Sequence, residues 1–169
     1  MILRKSTQND LPSIMKIIHY AQQYLASQNI DQWQDGYPDE TMILNDIQNK
    51  ESFIVLDNEE IVATYVLSIN GDENYDVIEG NWLTDDLTAY GVIHRIAVAK
   101  SNTKKGIAKH IILECEKQLK YSGITTMRID THKDNKGMQH ILKTLGYSYC
   151  GIIKLKRGGD RLAFEKLIL

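Results

Sequence analysis

The chain has 169 residues, of which 43% are hydrophobic and 25% are charged, proportions that are ordinary for a globular domain. Its formal net charge of −2 provides no overall attraction to nucleic acid or to an acidic membrane. The N-terminus lacks the apolar run of a signal peptide, no stretch approaches the length of a membrane span, and two cysteines do not make a disulfide framework. We therefore expect one cytoplasmic domain over residues 1–169, either a monomer or a homodimer, with neither nucleic acid nor membrane as a partner.

The first half of the chain predicts a short strand, two helices and a β-hairpin. Asn9 or Asp10 can cap the first helix, which tolerates Pro12 in its first turn and then repeats apolar residues at helical spacing. A second helix is expected after Pro38, beyond a loop that contains Gly36. The runs SFIVL and IVATYVLSI flank the polar turn DNEE, a pattern that is typical of a hairpin.

The second half alternates strands and helices after an irregular acidic and aromatic segment, residues 71–91. VIHRIAV predicts a strand, a basic loop leads into a helix over 106–121, and Gly123 lies where that helix should end. TMRIDT predicts another strand, NKGMQHILKTL a helix that stops at Gly146, and YSYCGIIKL and RLAFEKLIL two closing strands. Because strands and helices mingle without a repeat or linker, the sequence predicts a single mixed α/β domain.

Gly106 lies where the apolar pattern of the third helix begins, at a cost of about 1 kcal/mol relative to alanine in a helix. The first N–H groups of a helix have no internal partner, and the aligned peptide dipoles make that end electropositive. Glycine followed by a small residue, in GIA, lets an anionic group reach these N–H groups. Lysines 104, 105 and 109 add positive charge. On the loop alone, a pyrophosphate site and a solvated lysine-rich loop are equally good interpretations.

Several motifs in one order resemble the GNAT acetyltransferases. The family's loop motif, Gln/Arg-x-x-Gly-x-Gly/Ala, corresponds here to residues 103–108, TKKGIA, with Thr103 departing from the usual first residue. Asn135, which opens the fourth helix, matches an asparagine of the family, and LGY at 145–147 matches the end of the family's last helix. The resemblance extends over most of the chain and is more specific than any one of these motifs.

The resemblance implies a fold and a cosubstrate. The expected fold is a mixed α/β (α+β) domain with a central, twisted, mostly antiparallel sheet of six to seven strands. About four helices flank this sheet, which contains a splayed parallel pair at the cofactor site. The implied activity is transfer of an acetyl group from acetyl-CoA to a primary amine, directly in a ternary complex. The implied cofactor-binding residues are Ile96, Ala97, Val98, Thr103, Lys104, Lys105, Gly106, Ile107, Ala108, Lys109 and Asn135.

In such a reaction a base must accept the amine's proton and a fixed donor must meet the thioester oxygen. The resemblance implies that the backbone N–H of Ala97 or Val98 is this donor. His94 is the first candidate base because it precedes the IAV segment on the same strand, and His132 is the second. Many relatives place a tyrosine, as general acid, seven residues after the asparagine; Leu142 occupies that position here. No residues have convincing metal-ligand spacing, so no catalytic metal is predicted.

The acceptor side is predicted from two segments. Segment 71–91 has six acids and no lysine or arginine, so its carboxylates and aromatic faces could recognise a cationic amine. The loop between the first two helices could form an opposite wall. The substrate-binding candidates are Trp33, Tyr37, Tyr75, Glu79 and Trp82. A solvated acidic loop with aromatics in the core is an equally good interpretation of the first segment.

Two other functions stay open from the sequence. One is an acyl-CoA-binding sensor or structural protein of the same fold with weak catalysis, which Leu142 and Thr103 favour. The other is a module that binds nucleic acid or protein through the lysines of 100–109, which the balancing acids and the lack of a basic stripe disfavour.

Overall fold

The computed structural model describes residues 1–103 and 105–168. In this part of the chain there are four α-helices and eight β-strands. The helices are α1 (Leu11–Ser27), α2 (Glu40–Gln48), α3 (Ile107–Tyr121) and α4 (Lys136–Thr144). The strands are β1 (Ile2–Lys5), β2 (Ser52–Asp57), β3 (Glu60–Ser68), β4 (Ile78–Gly80), β5 (Gly91–Val98), β6 (Thr126–Thr131), β7 (Ser148–Lys154) and β8 (Asp160–Leu167). None of the described helices combines the length and the apolarity that a membrane crossing requires.

The strands form a mostly antiparallel sheet in the order β1-β2-β3-β5-β6-β8-β7-β4, with β5 and β6 parallel. This confirms the predicted mixed α/β class. The sheet has eight strands instead of six to seven because the irregular segment 71–91 contains β4, which pairs antiparallel with β7. Gly80 and Gly151 face each other in this pairing, and a Cβ on either would clash with the opposite backbone. The strand is therefore short and depends on two glycines rather than on an apolar pattern.

The chain divides into two compact units, residues 1–67 with 94–111, and residues 68–93 with 112–169. The first unit contains α1, α2, β1 to β3 and the second part of β5. Its core is a cluster of isoleucines, Ile14, Ile17, Ile18, Ile43, Ile47 and Ile54, together with Ala97. The helical spacing in α1 and α2 thus places one apolar face of each helix against the strands.

The start of α1 is fixed by a buried carboxylate. Asp10 precedes the helix, and its two oxygens accept hydrogen bonds from the Arg4 guanidinium at 2.8 and 2.9 Å and one from the Thr7 N–H at 2.7 Å. The hydrogen bond from Arg4, in particular, lowers the pKa of Asp10 to about 2. Pro12 lies in the first turn, where no N–H is needed.

The hairpin of β2 and β3 closes through Asn58 and Glu59, which have φ values of +48° and +69°. Two successive residues with positive φ are the signature of a tight type I′ turn, whose twist suits antiparallel strands. The hairpin predicted from the DNEE turn is confirmed.

The second unit contains β4, β6, β7, β8, α4, the first part of β5 and most of α3. Tyr75, Val92, Ile153 and Ala163 form a buried cluster in it. β5 pairs with β6 through Gly91↔Met127 and Val92↔Arg128. The strand β8 then pairs antiparallel with both β6 and β7, so the two closing strands predicted from the sequence are confirmed.

Candidate active site

The junction of loop and α3 in the first unit is open. The Gly106 carbonyl accepts the hydrogen bond of the His110 N–H at 3.0 Å, so Gly106 immediately precedes the helix and the first N–H groups of α3 have no helical partner. Gly106 has φ +76°, a conformation that suits glycine. Apart from its chain neighbours, no heavy atom of the described residues lies within 4 Å of the position that a Cβ would take there. Lys105 and Lys109 are exposed beside it.

The loop that leads to Gly106 is anchored at its beginning. The Ala99 N–H donates to the Val62 carbonyl of β3 at 2.8 Å, and the Thr103 hydroxyl donates to the Lys100 carbonyl at 3.1 Å. Thr103 is exposed and Asn102 is buried. Lys104, which was predicted to bind the cofactor, lies outside the described residues. The approach to the helix is thus tied to β3 at one end and open to solvent at the other.

The second part of β5, the strand for which the resemblance implies a splay at the cofactor site, carries an irregular backbone conformation. Arg95 has φ +53°, in the left-handed region that non-glycine residues rarely adopt and that is unusual inside a strand. Two residues later, Ala97 is buried in the isoleucine cluster, whereas Ile96 and Val98 are half-buried. The direction of the backbone therefore changes just before the IAV segment.

A buried polar cluster surrounds Arg95. Its guanidinium donates one hydrogen bond to the Tyr37 hydroxyl and another to Asp46 Oδ1, both at 2.6 Å. The ring of Tyr37 packs edge-on against that of Trp33, with 6.5 Å between centroids. Two predicted acceptor residues are thereby joined through Arg95 to a carboxylate on α2. His94, the first candidate base, lies near enough to Asp46 for its positive charge to act on that carboxyl.

The charged side chains of this cluster are largely buried from solvent. The side chains of Arg95 and Asp46 are 11% and 5% exposed. Burial raises the pKa of Asp46, and the charges of Arg95 and His94 oppose that effect. Burial disfavours the charged form of Arg95, but the attraction of Tyr37 and Asp46 outweighs it and raises the pKa of the guanidinium. Within the described residues, Asp46 Oδ2 and Arg95 Nε are buried without a hydrogen-bond partner.

The loop that carries Trp33 and Tyr37 is tied to α1. The Gln22 side-chain amide donates to the Tyr37 carbonyl at 3.0 Å, and the Gln34 amide donates back to the Gln22 carbonyl at 3.0 Å. Trp33 itself packs against the isoleucine cluster and has φ +64°. The loop is consequently fixed by hydrogen bonds to α1 and by the packing of Trp33 against the isoleucine cluster.

The remaining acceptor candidates lie in the second unit, where they contact other residues of the chain. Tyr75 is 2% exposed and donates its hydroxyl hydrogen to Asp130 at 2.7 Å, and burial raises its pKa well above the usual value. The Trp82 indole donates to the Tyr75 carbonyl at 3.1 Å. Glu79 is largely exposed and pairs with Lys154 at 2.7 Å.

Arg128 is the cation that meets these aromatic rings. Its guanidinium carbon lies 4.3 Å from the Trp82 ring centroid and 4.0 Å from that of Tyr90. Its Nε donates to Glu165 at 3.0 Å, and Glu165 also accepts from Thr84 and Thr126. Despite burial, these hydrogen bonds hold the pKa of Glu165 below its usual value. The cluster fastens the segment before β5 to β6 and β8.

His132 and Asn135 lie at the start of α4. His132 is 8% exposed, and its Nδ1 accepts the Asp134 N–H at 3.2 Å, so a neutral ring carries its proton on Nε2. Asn135 caps α4 through Oδ1, which accepts the Met138 N–H at 3.1 Å. Leu142, in place of a tyrosine, is fully buried in the core.

The tyrosine that follows α4 is also engaged. The Tyr147 hydroxyl donates to Glu116 at 2.9 Å, and Lys166 donates to the other oxygen of Glu116 at 2.7 Å. Burial and the charge of Glu116 raise the pKa of Tyr147 far above its usual value. Its proton is held inside the second unit.

Comparison with known proteins identifies the family. The chain matches the Acetyltransferase (GNAT) family over residues 18–147. A GNAT acetyltransferase from Streptococcus agalactiae is 33% identical, with a TM-score of 0.88 over 98% of this chain and 94% of that one. YncA of Salmonella typhimurium, solved with its cofactor acetyl-CoA, is 13% identical, with a TM-score of 0.69 over 100% of this chain and 94% of that one.

A ribosomal-protein-alanine N-acetyltransferase from Brucella melitensis is 15% identical, with a TM-score of 0.70 and 99% coverage of each chain. No curated protein matches the chain. At these identities the Salmonella and Brucella structures show the fold alone. The family match over residues 18–147 and the streptococcal protein both indicate the same family. The chain belongs to the GNAT acetyltransferase family.

Proposed function

We propose that this protein is an acetyl-CoA-dependent N-acetyltransferase that moves an acetyl group directly to a primary amine in a ternary complex. The observation that carries the proposal is the open helix start at Gly106, which directly follows the loop after β5 in a chain of this family. N–H groups that have no partner within the helix, the helix dipole and exposed lysines together favour a diphosphate at that position.

Acetyl-CoA supplies the acyl group as a thioester. In the proposal, the backbone N–H groups of Ile107, Ala108 and Lys109 bind the two linked phosphates, with charge from Lys104 and Lys105. Thr103 occupies the position where relatives have a longer donor, and its hydroxyl would donate to a phosphate only by leaving the Lys100 carbonyl. In the first unit, the backbone of Ile96–Val98 is proposed to hold the pantetheine arm. In the second unit, Asn135 is the residue proposed for the same role.

His94 is the preferred base. It removes the proton of the ammonium form, and the neutral nitrogen forms the new bond to the carbonyl carbon. The carbon–sulfur bond then breaks as the thiolate departs, and the nitrogen loses a second proton to water, which leaves the neutral amide. An N–H of Ala97 or Val98 donates to the oxygen that gains charge. Water protonates the thiolate, since Leu142 has no hydroxyl and Tyr147 donates to Glu116.

His132 is the weaker candidate for the base. Its Nδ1 lone pair already accepts a backbone N–H, and Nε2 carries the proton of the neutral ring, so a further proton requires that hydrogen bond to break. His94 lies on β5 directly before the IAV segment and belongs to the electrostatic surroundings of Asp46. These contacts support His94 over His132.

For the acceptor, Trp33 and Tyr37 form the favoured wall, because they are half-buried and belong to the same cluster as His94. Tyr75 and Trp82 are less favoured, since one is buried and the other packs on Arg128. Glu79, which is exposed, remains a candidate for attracting a cationic amine. A polyamine, an aminoglycoside, an amino-acid derivative and a peptide N-terminus all fit these chemical requirements.

A second candidate function is an acyl-CoA-binding sensor or structural protein with weak catalysis. It is favoured by Leu142, which is entirely buried and provides no hydroxyl for the leaving thiolate. Thermal unfolding with acetyl-CoA at 100 times its Kd should stabilise the fold by about 2.7 kcal/mol in either case. Release of coenzyme A thiol across the amine classes then separates an enzyme from a sensor.

His94→Gln and His132→Gln provide a matched pair of variants for the mechanism. His94→Gln should lower kcat for the best amine by roughly 100-fold, the lower end of general-base catalysis, and should flatten the rise of rate with pH. Its acetyl-CoA affinity should be unchanged. His132→Gln should keep the pH profile of the wild type. The reverse pattern would exchange the two assignments. If both variants and the wild type bind acetyl-CoA but none of them acetylates any amine, only the sensor function remains.

A further inference from the structure

The left-handed turn at Arg95 needs an explanation, because a strand of this kind would normally place an extended residue or a glycine there. A side chain with φ +53° is strained, and strained residues persist only when their surroundings hold them. The Arg95 guanidinium is held on two sides, by Asp46 Oδ1 and by the Tyr37 hydroxyl, both at 2.6 Å. The conformation of β5 is therefore tied to α2 and to the loop before it.

This anchor is a poor source of net stability. Both charges are buried, and one polar atom of each side chain, Asp46 Oδ2 and Arg95 Nε, has no partner among the described residues. In a buried ion pair with incomplete hydrogen bonding, the cost of desolvating the charges offsets much of their mutual attraction. A second buried pair, Arg128 with Glu165, has a much fuller set of hydrogen bonds, so the deficiency at Asp46 is local.

The position of the pair relative to the IAV segment indicates what it does. Arg95 precedes Ile96–Val98 directly, and Ala97 packs in the same cluster as Ile43 and Ile47, the apolar neighbours of Asp46 on α2. The segment is thus fixed to α2 twice, by an ion pair before it and by apolar packing within it. Releasing the first attachment frees the backbone direction of the three residues that follow.

We propose that Asp46 is a positioning residue for the acetyl donor: by anchoring Arg95 it maintains the turn in β5 that sets the backbone of Ile96–Val98. The inference rests on the proposed function, in which that backbone holds the pantetheine arm. Tyr37 is the second anchor. His94 and Glu51 also act electrostatically on Asp46, so variants that change its charge are compared at one pH.

The test compares two ligands. Acetyl-CoA contains the pantetheine arm, and 3′-phospho-ADP contains the linked phosphates without it. The Kd of 3′-phospho-ADP divided by the Kd of acetyl-CoA, called the arm ratio, therefore measures what the arm contributes to affinity. Calorimetric titration of Asp46→Asn should show this ratio reduced by about tenfold, whereas Kd for 3′-phospho-ADP stays within about twofold of the wild type. An unchanged ratio in the folded variant overturns the inference. A wild type that binds neither ligand rejects the proposed function instead.

Two further variants separate positioning from general damage. Glu165→Gln weakens the other buried ion pair, and it should lower the thermal midpoint without changing the arm ratio. Arg95→Gly supplies a residue that adopts φ +53° without strain. In that background, Asp46→Asn should change the arm ratio by less than about twofold, since the guanidinium through which Asp46 acts on the turn is already absent. A full tenfold effect in the Arg95→Gly background would show that Asp46 acts by another route.

If Asp46→Asn does not fold, Arg95→Lys decides the question. Lysine keeps the positive charge beside Asp46 but lacks the planar fork that reaches Asp46 and Tyr37 together. Its arm ratio should fall by about fivefold or more. A wild-type ratio in Arg95→Lys excludes a positioning role for the anchor.

Discussion

Gly106→Ala, compared with Gly123→Ala, tests the phosphate site with a control from the same helix. The two glycines flank α3, with φ values of +76° and +77°, and within the described residues neither has a heavy atom within 4 Å of its Cβ position apart from chain neighbours. Alanine at either position costs about 1–2 kcal/mol of backbone strain. In a domain of this size each kilocalorie lowers Tm by roughly 2–4 °C, so both variants should lose roughly 2–8 °C.

Their affinities for acetyl-CoA should differ. A methyl group at Gly106 lies where an anion approaches the first N–H groups of α3, so Kd should rise by about tenfold or more, equivalent to 1.4 kcal/mol. Gly123 lies at the other end of α3, and its variant should bind as the wild type does. Calorimetric titration at one ionic strength measures both. Equal affinities in two variants with equal Tm losses would refute the phosphate site at Gly106.

Three other perturbations have definite expected results. Lys105→Glu should weaken acetyl-CoA binding by about tenfold at low salt, and the loss should shrink in concentrated NaCl because salt screens exposed charges; a loss that does not depend on salt would argue against proximity to the phosphates. Because the pKa of Asp10 is lowered, its contribution to the free energy of unfolding is present above about pH 4, amounts to about 2 kcal/mol, and disappears as pH falls through about 2. Urea unfolding across that pH range should show that the difference in unfolding free energy between wild type and Asp10→Asn shrinks as the pH falls. A difference that stays constant would contradict this expectation. Glu165→Leu leaves Arg128 buried without its carboxylate and should cost about 3–5 kcal/mol, most of it recovered by adding Arg128→Met, whereas a cost below about 1 kcal/mol would contradict the role of the pair.

Much of the fold could be predicted because each large element has a local signal. Helical spacing identified α1 to α4, and the turn DNEE located the hairpin, since Asn58 and Glu59 can adopt the positive φ that a tight turn needs. β4 was missed for the opposite reason. Its pairing depends on the close approach of Gly80 and Gly151, which lie 71 positions apart, and its sequence shows no alternation of apolar residues.

The candidate site was only partly predictable, because its polar core is made of long-range pairs. Asp46 lies between Ile43 and Ile47 on the apolar face of α2, which is itself a signal that a buried carboxylate needs a partner. The partner is Arg95, 49 positions further along the chain, and nothing in the strand VIHRIAV distinguishes it from an exposed arginine. The sequence indicated Trp33, Tyr37 and His94 as candidates, and these stay predictions, but it did not indicate the two residues, Arg95 and Asp46, that connect them.

The acidic and aromatic segment illustrates a related limit. Its pattern predicts that aromatic faces meet a cation, and in the structure Trp82 and Tyr90 do meet one, the guanidinium of Arg128. Composition indicates the type of interaction but not whether the cation belongs to a ligand or to the chain. Only the three-dimensional arrangement separates the two cases.

The choice of arginine for the turn in β5 follows from what each residue type can provide. Glycine would adopt φ +53° without strain, but it would also adopt extended conformations equally well, so the strand could straighten. Arginine adopts that φ only while Asp46 and Tyr37 hold its side chain, so the turn and the anchor exist together. A strained, anchored residue thus gives one backbone direction where a flexible one would give several. The proposed task of this strand is to align a thioester, and correct alignment lowers the activation barrier by several kcal/mol. We infer that this gain outweighs the folding stability lost by burying the two charges.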